Sequence, residues 1–210
     1  MKRKGILTVV SGFSGAGKGT LMKALLKKYD SYALSISATT RKPREGEEDG
    51  REYFFKTTEE FEKMIAHEEL IEYAKYVNNY YGTPKEYVQN KLAEGKDVIL
   101  EIEIQGALKI KEKFPNTVLL FVTPPNVKML KERLVGRGTE TMEVIDSRMK
   151  RAAEEAEGME EYDYLVINDD LDICVEEMHQ IIQAEHFKCS RNPEFVQTIK
   201  EELIENAKGE

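Results

Sequence analysis

The sequence predicts an α/β fold, and three observations support that prediction. The chain has 210 residues, of which 40% are hydrophobic and 33% charged, the composition of a globular protein with a large core. Short apolar runs, separated by helical patterns, recur at residues 6–10, 98–102, 117–122 and 164–167. Continuous apolar runs of this length are typical of strands buried on both faces of a parallel sheet. The third observation is a glycine-rich loop directly after the first run.

This loop has the spacing of a phosphate-binding loop. Gly12, Gly17 and Lys18 match the Walker A pattern, in which backbone N–H groups surround phosphates and the lysine reaches the phosphate that is transferred. We therefore predict ATP-binding residues along the whole loop: Gly12, Phe13, Ser14, Gly15, Ala16, Gly17, Lys18, Gly19 and Thr20. The pattern has Ser or Thr after the lysine, where its hydroxyl helps to hold Mg²⁺, but this chain has Gly19 there. The hydroxyl comes one place later, on Thr20, which is therefore a candidate metal ligand without a firm assignment. A flexible turn before a helix is the alternative.

Three helices are predicted from their apolar periodicity and their end signals. The first follows the loop, with apolar positions at Met22, Leu25, Leu26 and Tyr29. The second begins at residues 170–172, where two aspartates suit the positive end of a helix. Its apolar positions are Ile173, Met178, Ile181 and Ile182. The last begins near Pro193, because proline is tolerated in a first helical turn.

Two segments interrupt the alternation of strands and helices. Residues 39–50 are rich in Arg, Lys, Glu, Gly and Pro, and residues 53–87 carry aromatic side chains with little alternation. Together they indicate an inserted lobe. Residues 135–158 are dense in charge and indicate a mobile helical flap.

Charge and cysteine content limit the possible partners. The net charge of −8 argues against a broad nucleic-acid-binding face. Cys174 and Cys189 lack the spacing of metal ligands, and reduced thiols without a chemical role explain them best. The three histidines are isolated, so none is assigned chemistry. The first apolar run is too short to span a membrane, and we expect a cytoplasmic protein with no membrane partner.

A pair of arginines predicts a second phosphate site. Arg41 and Arg44 lie in a segment that Pro43 and Gly46 keep out of regular helix, and guanidinium groups bind phosphate oxygens through two N–H groups at once. A solvated charged loop is the alternative. Residues 79–84 favour the site, because they add tyrosine hydroxyls for a phosphate and a threonine hydroxyl for a base.

Two further groups of charged residues are candidates. Glu101 and Glu103 end an apolar strand, where carboxylates can lie near Mg²⁺ or a substrate. Arg133 and Arg137 are four residues apart, and Arg148 follows on the predicted helix of the flap. Ion pairs with neighbouring glutamates on a surface helix are the alternative for these arginines.

Five segments, in order behind the phosphate loop, resemble guanylate kinase. They are residues 37–47, 50–55, 79–83, 135–140 and 166–170, and the resemblance covers roughly residues 5–187. It implies a P-loop NTPase core with a five-stranded parallel sheet, an inserted GMP-binding lobe and a helical lid. The implied core comprises residues 1–36, 84–134 and 159–210, the lobe residues 37–83, and the lid residues 135–158.

The resemblance also implies roles for individual residues of the lobe. The GMP phosphate would be held by Arg41, Arg44, Tyr53 and Tyr81. Guanine recognition would fall to Glu72 and Ser37, with Thr83 and Glu103 close by. A carboxylate suits guanine, because it can accept from both the ring N–H and the exocyclic amine. The family usually has aspartate at the places of Glu101 and Glu103, which leaves the roles of these glutamates open.

The implied activity is transfer of the γ-phosphoryl group of ATP to GMP, and to dGMP, giving ADP and GDP for guanine nucleotide recycling. Transfer would be direct, with Mg²⁺ accompanying ATP and no protein nucleophile. The implied catalytic residues are Lys18, Arg41, Arg133, Arg137 and Arg148. Two alternatives are an interaction module that has lost catalysis and a kinase with another acceptor, such as a ribose phosphate. The oligomeric state stays undetermined.

Overall fold

The computed structural model describes residues 3–76, 78–136, 138 and 141–208. Its strands are β1 Leu7–Gly12, β2 Tyr32–Leu34, β3 Ala38–Thr39, β4 Phe54–Phe55, β5 Leu70–Tyr76, β6 Asn79–Pro84, β7 Asp97–Glu101, β8 Val118–Thr123 and β9 Tyr164–Ile167. Its helices are α1 Lys18–Lys28, α2 Thr58–Ala66, α3 Lys85–Ala93, α4 Ile104–Lys113, α5 Val127–Gly136, α6 Met142–Ala156, α7 Leu171–Glu185 and α8 Pro193–Lys208. Short 3-10 helices lie at Met159–Glu161 and Cys189–Arg191.

Five parallel strands form the central sheet, in the order β2-β7-β1-β8-β9. This confirms the predicted α/β class and the parallel sheet. Successive residues of β1 enter different cores, since Val10 packs with α1 and α7 while Val9 packs with α3 and α4. Both faces of the sheet are therefore covered, which explains why its strands are continuous apolar runs. The carboxyl ends of the strands lie at one edge, where ligands bind in open α/β sheets.

The helices follow the predicted patterns, with one error. In α1, Met22 and Leu25 are buried as expected. In α7, the Asp170 carboxylate accepts the Ile173 N–H at 3.0 Å and caps the helix. The Ile173 side chain is 61% exposed, however, so its assignment to the core face was wrong. Ile173 lies with Leu165 in an open groove beside the edge strand β9. Further along the helix, Met178 and Ile182 are buried in the core.

The inserted segment forms a second sheet, in the order β4-β3-β6-β5. Strand β3 is parallel to β4 and antiparallel to β6, which is antiparallel to β5. Ala38, Phe61 and Leu70 form its own small core, to which α2 contributes the phenylalanine. The expectation of little strand–helix alternation was wrong here, because β4, α2, β5 and β6 follow one another in this segment. The boundaries of lobe and lid stay predictions.

The remaining helices lie outside these two sheets. Helix α8 begins at Pro193, as predicted, and buries none of its side chains. Helix α6 occupies most of the segment predicted as a flap. Among the described helices, none combines the length and apolar character needed to cross a membrane.

Candidate active site

The phosphate loop joins the central strand β1 to helix α1. Gly12 ends the strand, and a Cβ atom there would lie 2.0 Å from the Val122 carbonyl oxygen on β8. Gly17 precedes α1 in the left-handed region, with φ +91°, and its Cβ would lie 2.4 Å from Nδ2 of Asn168. Lys18 Nζ donates to the Gly12 carbonyl at 2.7 Å. Close packing and backbone conformation therefore account for both glycines of the Walker A pattern.

The same geometry predicts the effect of adding one methyl group. Gly17→Ala should lower the free energy of unfolding by more than about 1 kcal/mol, because alanine is strained at positive φ and its Cβ would meet Asn168. Gly19→Ala is the matched control, since a Cβ there would meet no heavy atom within 4 Å beyond its chain neighbours and its own helix backbone, and its φ is not in the left-handed region. Urea unfolding of both variants measures the difference. Equal stability of the two variants would contradict this account of Gly17.

Two of the arginines predicted to be catalytic contact the phosphate loop. Arg133 donates to the carbonyl oxygens of Asn168 at 2.8 Å and of Ala16 at 3.4 Å. Arg148 on α6 donates to the Ser14 hydroxyl. The structure thus brings both guanidinium groups to the loop that would hold ATP. Arg137 lies outside the described residues.

Asn168 is a site residue that the sequence analysis did not single out. It follows β9, is 6% exposed, and donates from Nδ2 to the Ala16 carbonyl at 2.8 Å. Its own carbonyl accepts from Arg133. Asn168 therefore links the loop to one of the arginines. The sequence did contain one indication of a role for Asn168, because it lies in residues 166–170, one of the segments that resemble guanylate kinase.

A cleft of about 180 Å³ lies between the two sheets. Its lining includes three of the residues predicted to bind GMP, namely Ser37, Tyr53 and Thr83. Glu101, at the carboxyl end of β7, also lines it. Glu101 is in register with Val10 of β1, the strand that leads into the phosphate loop. The cleft and the loop therefore lie on neighbouring strands at the same edge of the central sheet.

Arg41 is enclosed by an acid and aromatic rings. Its Nη2 donates to Glu47 Oε1 at 2.9 Å, and its guanidinium carbon lies 5.3 Å from the centre of the Tyr53 ring and 5.9 Å from that of Phe55. Hydrogen bonds to Glu47 and to Tyr81 raise the pKa of Arg41. The structure thus groups three of the four residues predicted to hold the GMP phosphate. No motif in the sequence had assigned a role to Glu47.

The fourth predicted phosphate ligand, Arg44, lies at the edge of this group. Its backbone N–H donates to Glu47 Oε2 at 2.8 Å, and its side chain is exposed. One carboxylate therefore contacts both residues of the predicted arginine pair.

Glu72 and Thr83 form the candidate base-recognition pair. They lie on the adjacent strands β5 and β6, and the Thr83 hydroxyl donates to Glu72 Oε1 at 2.7 Å. Burial raises the pKa of Glu72, and the hydrogen bond from Thr83 partly opposes that shift. A carboxylate in such a position gains from N–H donors supplied by a ligand.

Glu103 is placed differently from the expectation. It directly precedes α4, its side chain is 76% exposed, and its Oε2 accepts from Arg151 on α6 at 2.8 Å. It is not among the described residues that line the cleft, whereas Ile102 is. In this structure Glu103 therefore contacts Arg151, and its role near the base stays a prediction.

The model of the guanylate kinase family matches residues 4–185 of the chain. The chain belongs to the guanylate kinase family. A protein named guanylate kinase from Caldanaerobacter subterraneus subsp. tengcongensis is 52% identical over 204 residues, which are 97% of this chain and 99% of that protein. Another so named, from Halalkalibacterium halodurans, is 54% identical over 190 residues, which are 90% of this chain and 93% of that protein.

A solved structure agrees with this family assignment. The crystal structure of guanylate kinase from Anaplasma phagocytophilum matches with a TM-score of 0.69 and 31% identity, over 90% of each chain. Membership of the guanylate kinase family confirms the resemblance, the P-loop fold and the class of nucleoside monophosphate kinase. The roles of individual site residues stay predictions.

Proposed function

We propose that this chain transfers the γ-phosphoryl group of ATP to GMP, giving ADP and GDP. The observation that carries the proposal is the position of the cleft beside the phosphate loop. Glu101 lines the cleft and pairs in register with β1, which ends at Gly12. A donor phosphate on the loop and an acceptor phosphate in the cleft would therefore meet at one edge of the sheet, which is the geometry that direct transfer requires.

The base-recognition pair favours guanine over other acceptors. Guanine presents a ring N–H and an exocyclic amine on one edge, and both are donors. Glu72 offers acceptor oxygens there, and Thr83 holds one of them at 2.7 Å. A ribose phosphate has no such edge. We extend the proposal to dGMP, because none of the predicted contacts reaches the ribose.

Catalysis in this arrangement rests on position and charge. Lys18 and the loop amides would hold the donor phosphates, and Arg41 with Arg44 would hold the acceptor phosphate. Arg133 and Arg148, which contact the loop, would stabilise negative charge on the transferring group, with Arg137 as a further proposed member. The acceptor is itself the nucleophile, so no protein nucleophile is needed. Closure of lid and lobe would exclude water from the site.

Mg²⁺ is the proposed cofactor, bound together with ATP. Within the described part of the chain, no group of three or more acidic, histidine or cysteine side chains could hold a metal alone. This fits Mg²⁺, which keeps several waters and binds through substrate phosphates with one or two protein oxygens. Thr20 in the first turn of α1 and Glu101 could supply those oxygens. When bound, Mg²⁺ would neutralise negative charge on the phosphates of ATP.

The proposed function is tested by supplying acceptors one at a time. Purified protein, ATP and Mg²⁺ are incubated with each common nucleoside monophosphate, and separately with a ribose phosphate, while ADP release is followed. We expect GMP and dGMP to give turnover far above the others. Turnover with ribose phosphate but not GMP would overturn the proposal. A cytoplasmic location and the absence of a nucleic-acid partner stay predictions.

Arg41→Met should weaken GMP binding and leave ATP binding nearly unchanged, because the guanidinium is assigned to the acceptor phosphate. Loss of a charge-assisted contact of roughly 1.5–3 kcal/mol corresponds to a Kd for GMP about ten- to hundredfold higher. Separate titrations with GMP and with ATP measure both constants. Loss of ATP affinity instead would mean that the two sites are assigned to the wrong sheets.

A further inference from the structure

We infer that Glu47 is a positioning residue that holds the two acceptor arginines ready for the phosphate of GMP. The inference rests on the proposed function and concerns a residue that would not itself touch a phosphate, since both are negatively charged. It deepens the assignment of Arg41 and Arg44, because it explains how an arginine pair in an irregular segment acquires a defined geometry.

The two oxygens of the Glu47 carboxylate bind two different residues. Oε1 accepts from Arg41 Nη2 at 2.9 Å, and Oε2 accepts from the Arg44 backbone N–H at 2.8 Å. The Arg41 and Glu47 side chains are only 16% and 17% exposed. This separates the pair from the exposed ion pairs of the same segment, such as Arg51 with Glu48, whose side chains are 52% and 70% exposed.

The local backbone brings the carboxylate back onto the arginines. Gly46 has φ +83°, a conformation that favours glycine, and the Glu47 N–H donates to the Arg44 carbonyl at 3.1 Å. The resulting turn directs Glu47 toward the preceding residues. Arginine, glycine and glutamate at these spacings therefore form one local unit.

The remaining contacts of Arg41 leave it suited to receive a phosphate. Its Nη1 donates to the Lys42 carbonyl at 2.8 Å, and Tyr53 lies against the guanidinium. A guanidinium carries five N–H groups, more than these contacts and the one to Glu47 use. Arginine side chains lose much rotational freedom on binding, and a side chain already held in place avoids that cost when the ligand arrives.

Glu47 also stays charged through the physiological range. The hydrogen bond from Arg41, followed by that from the Arg44 backbone, lowers the pKa of Glu47. A carboxylate next to a phosphate site could instead compete with the phosphate for Arg41. The two possibilities predict opposite changes when the charge is removed, so one substitution distinguishes them.

The test is Glu47→Gln, in which an NH₂ donor replaces one of the two oxygens that accept from Arg41 and Arg44. We expect the KM for GMP to rise about tenfold, because one or two arginine side chains that Glu47 held in place must then be ordered when GMP binds. The kcat and the KM for ATP should change little. Glu48→Gln is the matched control, with the same change of charge in the same segment. Guanosine, which lacks the phosphate, should inhibit wild type and Glu47→Gln equally.

Several outcomes would overturn the inference. An unchanged or lowered KM for GMP in Glu47→Gln would do so, the latter by identifying Glu47 as a competitor of the phosphate. A loss of guanosine affinity would indicate general damage to the lobe. Glu47→Asp, which keeps the charge and shortens the side chain, should raise the same KM to a smaller degree and serves if the glutamine variant does not fold. Failure of wild type to use GMP would instead refute the proposed function.

Discussion

Replacing Lys18 with alanine should reduce phosphoryl transfer by about 10²-fold or more, the effect typical of removing one charged group that stabilises a transition state. Lys18 begins α1, and its Nζ lies 2.7 Å from the Gly12 carbonyl and 3.2 Å from that of Phe13. The amine therefore lies on the loop itself, where the donor phosphates would bind. Its contacts to these two backbone oxygens are only partly buried, so the fold should survive the substitution.

The measurement is turnover at saturating ATP and GMP, together with a thermal unfolding curve. Lys27→Ala is the matched control, because Lys27 is an exposed lysine of the same helix without a proposed role. We expect near wild-type turnover for the control. Turnover of Lys18→Ala within a few-fold of wild type would show that the donor site is assigned to the wrong loop.

Glu72→Gln should lower kcat/KM for GMP by about ten- to hundredfold, since a hydrogen bond to a charged group contributes roughly 1.5–3 kcal/mol and each decade corresponds to about 1.4 kcal/mol. The carboxylate can accept two N–H groups, whereas the amide has one acceptor oxygen. If that oxygen keeps the hydrogen bond from Thr83, the NH₂ group faces the guanine and a donor meets a donor. Use of AMP should fall little.

The ratio of kcat/KM for GMP to that for AMP decides this prediction. Glu69→Gln serves as control, because Glu69 is an exposed glutamate directly before β5. An unchanged ratio in Glu72→Gln would remove Glu72 from base recognition and leave it to Ser37, Thr83 and Glu103. The raised pKa of Glu72 adds a dependence on pH. GMP affinity of wild type should fall as the pH drops through that raised pKa, and this step should be absent in the variant.

The elements that the sequence predicted share one physical property. Buried central strands such as β8 are apolar on both faces, so a short run of residues reveals them without any knowledge of their partners. Strands β2, β3 and β4 have only two or three residues, too few for a period. Their pairing depends on residues distant in the chain. Ile173 was misassigned for a related reason. It lies beyond the edge strand β9, and helical periodicity does not show where the sheet that a helix covers comes to an end.

The residues of the candidate site also fall into those that a local sequence pattern predicts and those that depend on distant contacts. The phosphate loop could be predicted because its function follows from consecutive residues and a local backbone shape. Asn168 could not, since its contact to Ala16 joins residues 152 positions apart. Nor could the contact between Glu103 and Arg151, which joins residues 48 positions apart. Motifs therefore identified the chemical groups, and tertiary structure determined which of them meet.

The separate core of the second sheet links acceptor binding to local stability. Among the described residues, Ala38, Phe61 and Leu70 are the buried apolar side chains of its own core, apart from the two larger cores of the central sheet. A unit with so little buried apolar surface is expected to open more easily than the sheet that carries the phosphate loop. A ligand that binds only the closed unit stabilises it by about 2.7 kcal/mol at a hundred times its Kd. The acceptor nucleotide would thus stabilise its own binding site against local opening, whereas the donor binds a loop anchored to the larger cores.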